Sequence, residues 1–113
     1  MNSENDRAEE PEDLEPVMVT LAFRTDQPDR LMSVLAKYVV LSRGHSGCRN
    51  IDFVASATSL GRLLVVEKWD SAAAQRAHFD SAEMVTMAQA CEGLLTEPPE
   101  IDLYEGISMH DTA

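Results

Sequence analysis

The chain has 113 residues and a mass of 12.5 kDa, which is the size of a single domain. It carries 20 acidic residues against 9 basic ones, for a net charge of -11, and 44% of its residues are hydrophobic, as in folded globular proteins. Because so acidic a chain offers no basic stripe to neutralise phosphates, we expect neither nucleic acid nor an anionic membrane as its partner.

The first fifteen residues hold much of this charge. Residues 1–15 contain seven acids and one base, with only three apolar residues among them. Such a segment buries too little apolar surface to offset its ordering entropy, so it is predicted to be a disordered acidic arm, with a docking tail as the alternative. It also lacks the basic start and apolar stretch of an export signal. We therefore expect a cytoplasmic protein whose Cys48 and Cys91 are free thiols.

Motifs that hold metals and common cofactors are missing. His45, His78 and His110 are far apart and none has a Cys or carboxylate at metal-ligand spacing. The patterns HExxH, GxSxG, GxGxxG and the P-loop do not occur. The sequence therefore predicts no metal site and no bound cofactor.

The first two elements follow the acidic arm. Residues 17–24 are apolar and β-branched in a short run, which predicts a strand. Asp26 is the predicted N-cap of a helix whose first turn holds Pro28. Apolar residues then recur at three- and four-residue spacing up to Leu41, and Gly44 and Gly47 are predicted to end the helix.

Two strands come next. Residues 50–57 alternate between apolar and polar positions and predict a second strand, which a turn at 58–61 joins to a third strand over 62–69. Both faces of this third strand are apolar at its centre, where Val65 and Val66 lie on opposite sides. Such a strand is normally covered on both faces.

The rest of the chain predicts two helices and a last strand. Ser71 and Ser81, each after an Asp, are predicted caps of consecutive helices with a kink at residue 80, and Gly93 ends the second. After Pro98 and Pro99, residues 101–107 alternate as a fourth strand. The domain is thus expected over 16–108, with a flexible tail at 109–113.

This order, β-α-β-β-α-β, is the ferredoxin-like α+β arrangement, with a four-stranded antiparallel sheet and helices on one face. The free face would include one side of the doubly apolar third strand. A monomer would expose it, so we expect a homodimer that packs sheet on sheet.

The segment from Glu67 to Ser81 resembles the signature E-x-W, a helix, then H-x-x-S, of the antibiotic biosynthesis monooxygenase (ABM) family of dimeric α+β barrels. Gly47-Cys48 and the final Pro-Pro followed by Tyr104 also resemble this family, and the resemblance covers residues 16–108. It implies the dimeric barrel fold and a cofactor-free oxygenase of quinol or polyphenolic substrates, among relatives that also include haem-degrading enzymes.

The resemblance departs from both characterised branches. At the positions of the haem-degrading Asn, Trp and His, this chain has Thr20, His78 and Ala88. At the Asn and Tyr of the polyketide oxygenases it has Val65 and Gln75, so only Trp69 matches.

Three residues are the candidate catalytic set. His78 could transfer a proton, or its ring could instead fix the turn at 78–81. Trp69 could stack on a flat substrate or simply anchor the core. Glu67 could be a buried base, or it could form a salt bridge across the dimer to Arg49 or Arg62.

The barrel fold implies a ligand cavity between sheet and helices. Besides the catalytic set, its predicted substrate-binding residues are Thr20, Ala22, Tyr38, Phe53, Phe79, Met84 and Met87. The predicted function is a cofactor-independent monooxygenase acting on a small quinol-type or polyphenolic aromatic with O2. A non-catalytic ligand-binding or stress-response protein, and an isomerase or cyclase acting on a reactive metabolite, are the alternatives.

Overall fold

The computed structural model describes residues 15–109. In chain order the elements are β1 (Val17–Arg24), α1 (Pro28–Ser42), β2 (Cys48–Ala55), β3 (Arg62–Trp69), α2 (Ala72–Phe79), α3 (Ala82–Ala90) and β4 (Glu100–Glu105). The predicted ferredoxin-like α+β fold is confirmed. The predicted acidic arm and C-terminal tail lie outside the described residues, apart from Glu15 and Met109 at their edges.

All four strands form one antiparallel sheet in the order β2-β3-β1-β4. Strand alternation places every second residue on the side that the helices cover. The covered face includes Val17, Val19, Leu21 and Phe23 of β1, and Leu63, Val65, Glu67 and Trp69 of β3, all of which are buried. We call the opposite side the open face.

Strand β3 has apolar residues on both faces, as its sequence predicted. On the open face, Leu64 and Val66 lie opposite Ala22 and Thr20 of β1 and are only half-buried within the single chain. Strand β4 is exposed along its whole length. The single chain thus leaves one face of the sheet without a covering layer.

The helix starts follow the sequence with one exception. Ser71 and Ser81 cap α2 and α3, since their hydroxyls accept hydrogen bonds from the backbone N–H of Ala74 and Met84. The prediction that Asp26 caps α1 is wrong, because the N-cap is Gln27. The backbone N–H of Gln27 donates a hydrogen bond to the Thr25 hydroxyl.

Two features of Gly47 hold the 43–47 loop against the start of α2. Gly47 adopts a positive φ of 84°, and its carbonyl accepts a hydrogen bond from the backbone N–H of Asp70. A Cβ at Gly47 would lie 2.5 Å from the Cβ of Ala74, so the 43–47 loop can approach α2 only because this residue is glycine. Within the part of the chain that the structure describes, no helix is long and apolar enough to cross a membrane.

Candidate active site

The three candidate catalytic residues meet beneath α2. Glu67 and Trp69 lie two residues apart on β3 and therefore share the covered face, while His78 comes from the last turn of α2. All three are buried, and so is Tyr38 of α1, which joins them. We call Tyr38, Glu67, Trp69 and His78 the buried cluster.

A continuous series of hydrogen bonds connects the four residues of the buried cluster. The Tyr38 hydroxyl donates to Glu67 Oε2 at 2.5 Å and lies 2.8 Å from His78 Nε2. The Trp69 indole N–H donates to the other carboxylate oxygen, Glu67 Oε1, at 3.0 Å. Glu67 thus has one partner on each oxygen, and Tyr38 stands between the carboxylate and the imidazole.

The rings of the buried cluster also pack on each other. Trp69 and His78 stack with their ring centroids 4.6 Å apart and an interplanar angle of 28°. The His45 ring meets His78 edge-on at 4.8 Å. One indole face of Trp69 is therefore occupied by imidazole and is not open to a flat substrate.

Burial shifts the pKa values of His78 and Glu67, the two groups that Tyr38 connects, in opposite directions. It lowers the pKa of His78 to about 4, with nearby His45 adding to the effect and Glu83 opposing it. It raises the pKa of Glu67 above its ordinary value, although the bonds from Tyr38 and Trp69 act the other way. Burial and the Glu67 charge also raise the pKa of Tyr38. At neutral pH the imidazole is therefore uncharged.

One nitrogen of that imidazole has no bond. His78 Nδ1 is buried and has no hydrogen-bond partner among residues 15–109. If Tyr38 donates to Glu67, His78 Nε2 carries the proton that bonds the Tyr38 oxygen, and Nδ1 presents a bare lone pair. A buried lone pair of this kind can accept a proton.

A second pair of groups lies beside His78. His45 Nε2 and Glu83 Oε1 are 2.8 Å apart, and both side chains are about 30% exposed (28% and 31%). The Glu83 pKa is lowered by its bond to His45. The pair thus lies against the buried His78 through the His45 ring and is itself partly exposed to solvent.

Two grooves border the core. The helix groove, between α1 and α3, has a volume of about 490 Å³ and is lined in part by Tyr38, Leu41, Glu83 and Met87. The sheet groove, about 420 Å³, lies between α3, β1 and residues 93–99, and its walls include Met84, Met87 and Leu21. Of these two grooves, the helix groove is the one lined by a member of the buried cluster, Tyr38, and it is also lined by Glu83 of the His45–Glu83 pair.

The predicted substrate-binding residues therefore do not share one cavity but lie in different parts of the fold. Tyr38, Met84 and Met87 line the grooves, and Phe53 lies half-buried on the covered face, packed against the core. Thr20 and Ala22 were expected in the same cavity, but they lie on the open face, because the alternation of β1 turns Val19, Leu21 and Phe23 inward. Phe79 was also expected there and is 45% exposed at the end of α2.

The structural roles predicted as alternatives for His78 and Glu67 differ from the contacts that the structure shows. The His78 ring bonds Tyr38, forty positions away, and not its own turn, where Ser81 N–H bonds the His78 carbonyl. Glu67, for which a salt bridge across the dimer to Arg49 or Arg62 was the alternative, bonds Tyr38 and Trp69 within the single chain, where Arg49 bonds Asp70 at 2.7 Å. His45 is not among the candidate residues that the sequence predicts. Its role beside His78 follows from the Gly47 loop geometry, which no local motif signals.

Comparison with known proteins identifies the family. A sequence profile of the antibiotic biosynthesis monooxygenase family matches residues 17–90, which is more than half of the chain. The chain belongs to this family. None of the curated proteins compared with the chain matches it.

Solved structures agree with the fold. Rv0793 from Mycobacterium tuberculosis is 27% identical, with a TM-score of 0.75 over 83% of this chain and 97% of its own. SnoaB from Streptomyces nogalater, a cofactor-independent oxygenase, is 17% identical, with a TM-score of 0.75 over 84% and 96%. PA3566 from Pseudomonas aeruginosa is 20% identical, with a TM-score of 0.75 over 83% and 96%. At these identities the last two show the fold alone.

Proposed function

We propose that the protein is a monooxygenase that oxidises a quinol-type or polyphenolic aromatic with O2 and needs neither a metal nor an organic cofactor. Family membership supports the reaction class. The observation that carries the proposal is the buried, bare Nδ1 of a neutral His78, linked through Tyr38 to a carboxylate. This arrangement can take the proton from a phenolic hydroxyl, which is the step that makes such a substrate reactive toward O2.

The substrate itself would supply the electrons. A phenolate transfers an electron to O2, the two radicals combine in a new C–O bond, and loss of water leaves a quinone. For naphthalene-1,4-diol the balance is C10H8O2 + O2 → C10H6O3 + H2O, so one oxygen atom enters the product and the other leaves as water. A buried site supports this chemistry because it shields the radical pair from water.

The helix groove is the proposed route for the substrate. It reaches Tyr38 directly, and its wall includes Glu83, which holds His45 against His78. The apolar Leu41 and Met87 in the same wall suit a flat ring, since methionine adapts its shape to the ligand. We expect the substrate to reach His78 from this groove when the partly exposed His45–Glu83 pair separates.

The test is isotopic. Purified protein is mixed with naphthalene-1,4-diol under 18O2, and the product is analysed by mass spectrometry. The proposal expects 2-hydroxy-1,4-naphthoquinone with one 18O atom, formed in proportion to enzyme. Unlabelled 1,4-naphthoquinone at the buffer rate, with quercetin and 1,4-benzenediol equally inert, would contradict it.

A non-catalytic binding role is the second candidate, and one observation favours it. Trp69 and His78 are buried (0% and 2% exposed), and neither ring lines the helix groove or the sheet groove. A binding protein would take up the aromatic in the helix groove without any change in oxygen consumption. Tight binding of a phenol without 18O incorporation would support this role.

We further propose a homodimer through the open face. The half-buried Leu64 and Val66 and the exposed Val54 and Tyr104 present apolar side chains there, in cross-strand rows whose ends hold Asp52 and Asp102. Because the helices cover only the other side, a second sheet is the economical cover for this surface.

A further inference from the structure

We infer that Tyr38 relays protons between His78 and Glu67, so that the proton taken from the substrate is stored on Glu67 and not on the imidazole. The identity of the proton donor rests on the proposed function, whereas the relay itself concerns three groups of this chain. Tyr38 is then a positioning residue as well as part of the groove wall. Glu67 is the group that holds the proton after His78 has accepted it from the substrate.

The geometry supports the relay because the three groups form consecutive hydrogen bonds. Tyr38 Oη lies 2.8 Å from His78 Nε2 and 2.5 Å from Glu67 Oε2. A hydroxyl can donate one hydrogen bond and accept another at the same time. Tyr38 can therefore gain a proton from one neighbour while it gives its own to the other.

The two end states of the relay keep every hydrogen bond. At rest, His78 Nε2–H donates to Tyr38 Oη, and Tyr38 Oη–H donates to the Glu67 carboxylate. When Nδ1 takes a proton from the substrate hydroxyl, Nε2 gives its proton to Tyr38 and Tyr38 gives its proton to Glu67. The substrate becomes an anion, Glu67 becomes a carboxylic acid, and His78 is again neutral with the proton on Nδ1.

The relay also explains how so weak a base can work. An imidazolium at His78 is disfavoured by burial, which lowers its pKa to about 4. The same burial raises the pKa of Glu67, so its carboxylate is the better place for the proton. Tyrosinate is avoided, since the raised pKa of Tyr38 disfavours it and the hydroxyl never loses its proton without gaining another.

The titratable groups around the relay can be separated from it. His45 and its partner Glu83 lie beside His78, and the Cys48 thiol, whose pKa is raised by burial and then by the Glu67 charge, lies near Glu67. None of them lies between Tyr38 and its two partners. The variants His45→Gln and Cys48→Ala therefore serve as controls.

The relay predicts a spectroscopic signature in the free protein. When Glu67 takes up a proton from solvent, it must donate to Tyr38, and Tyr38 must then donate to His78 Nε2. His78 therefore changes tautomer, from Nε2–H to Nδ1–H, at the pH where Glu67 titrates and above the pH at which imidazolium forms. A tyrosine that only packs beside His78 would not cause this switch.

The experiment is a pH series of long-range 1H–15N spectra of the full chain labelled with 15N-histidine. The variant His78→Gln assigns the His78 signals, which report the tautomer directly. We expect the tautomer switch in the wild type, in His45→Gln and in Cys48→Ala. Tyr38→Phe should abolish the switch, and Glu67→Gln should hold His78 in one tautomer throughout.

Each outcome decides. A wild type that keeps one tautomer down to imidazolium formation near pH 4, or a Tyr38→Phe variant that still switches, overturns the relay. If the switch occurs but naphthalene-1,4-diol gains no 18O, the relay stands and the proposed function fails. If 18O is incorporated without the switch, the relay fails alone. If Tyr38→Phe does not fold, Glu67→Gln carries the comparison.

Discussion

Trp69 stacks on His78, with the ring centroids 4.6 Å apart, and donates its indole N–H to Glu67. The indole therefore orients the carboxylate and covers one face of the imidazole, and it does not offer that face to a substrate. Trp69 is also the only tryptophan of the chain. Its fluorescence thus reports the state of His78 without interference.

We expect the fluorescence of Trp69 to fall as the pH decreases through about 4. The reason is that His78 becomes charged near this pH, and an imidazolium in contact with indole quenches it by accepting an electron. His78→Gln should remove the transition, while His45→Gln should keep it. Quenching with a midpoint near the ordinary histidine pKa of about 6.5 would contradict the burial of His78.

The stability of the fold should depend on pH through His78. The unfolded chain binds a proton at this residue below about pH 6.5, but the folded chain does so only below about pH 4. The contribution of His78 to the free energy of unfolding is therefore fully present above pH 6.5. It decreases as the pH falls from 6.5 to 4 and stays lost at lower pH.

Urea unfolding of the wild type and His78→Gln at several pH values checks this prediction. The wild type should lose about 3 kcal/mol relative to the variant between pH 6.5 and 4. Glu67, whose raised pKa has the opposite effect, is present in both proteins and largely cancels in the difference. A difference between the two proteins that is constant with pH would refute the assignment.

Removing the Tyr38 hydroxyl should destabilise the protein. Tyr38→Phe leaves a buried carboxylate without one of its two donors, and such a loss costs about 1–3 kcal/mol. Tyr104→Phe is the matched control, because it removes the same hydroxyl from β4 on the open face without leaving a buried carboxylate unpartnered, and its change should stay within about 0.5 kcal/mol. Equal losses in the two variants would show that the Tyr38–Glu67 bond adds nothing.

The sequence predicted the fold well because the signals were local. The capping residues Ser71 and Ser81, the alternation of β3 and the family signature around Trp69 and His78 each lie within a few positions of the element that they define. The open face, too, followed from the alternation of Val65 and Val66.

The candidate site was predicted only in part, because its key contacts are distant in the chain. Glu67, Trp69 and His78 share one motif and were found together. Tyr38 joins them from 29 and 40 positions away, and its spacing on α1 was equally consistent with a pocket wall. Thr20 and Ala22 were misplaced because alternation assigns residues to two faces without saying which face the helices cover.

The proposed dimer can be broken on the open face. Val66→Asp should convert a dimer of twice 12.5 kDa into a monomer, since a carboxylate at the centre of a sheet-on-sheet interface is desolvated without a partner. Val40→Asp is the control, because Val40 is 66% exposed on α1, away from the sheet. Sedimentation velocity at micromolar concentration distinguishes the two states, and a wild-type monomer would disprove the interface.

The 43–47 loop should matter for the site. Gly47→Ala requires a positive φ and places a Cβ 2.5 Å from Ala74, so it should push this loop and its His45 away from α2. We expect a loss of at least about 2 kcal/mol. Gly93→Ala, also at a positive φ but with nothing beyond its chain neighbours within 4 Å of the new Cβ, should cost about 1 kcal/mol. Similar losses in a thermal unfolding series would contradict the close loop contact.

The most direct test of the account is the turnover of His78→Gln with naphthalene-1,4-diol, measured as 18O incorporated per folded molecule. Gln keeps a polar side chain but provides no base, so kcat should fall by about 100-fold with KM little changed. Arg76→Gln, exposed on the same helix, should retain full activity. If His78→Gln incorporates 18O at the wild-type rate, His78 is not the base and the proposed site is wrong.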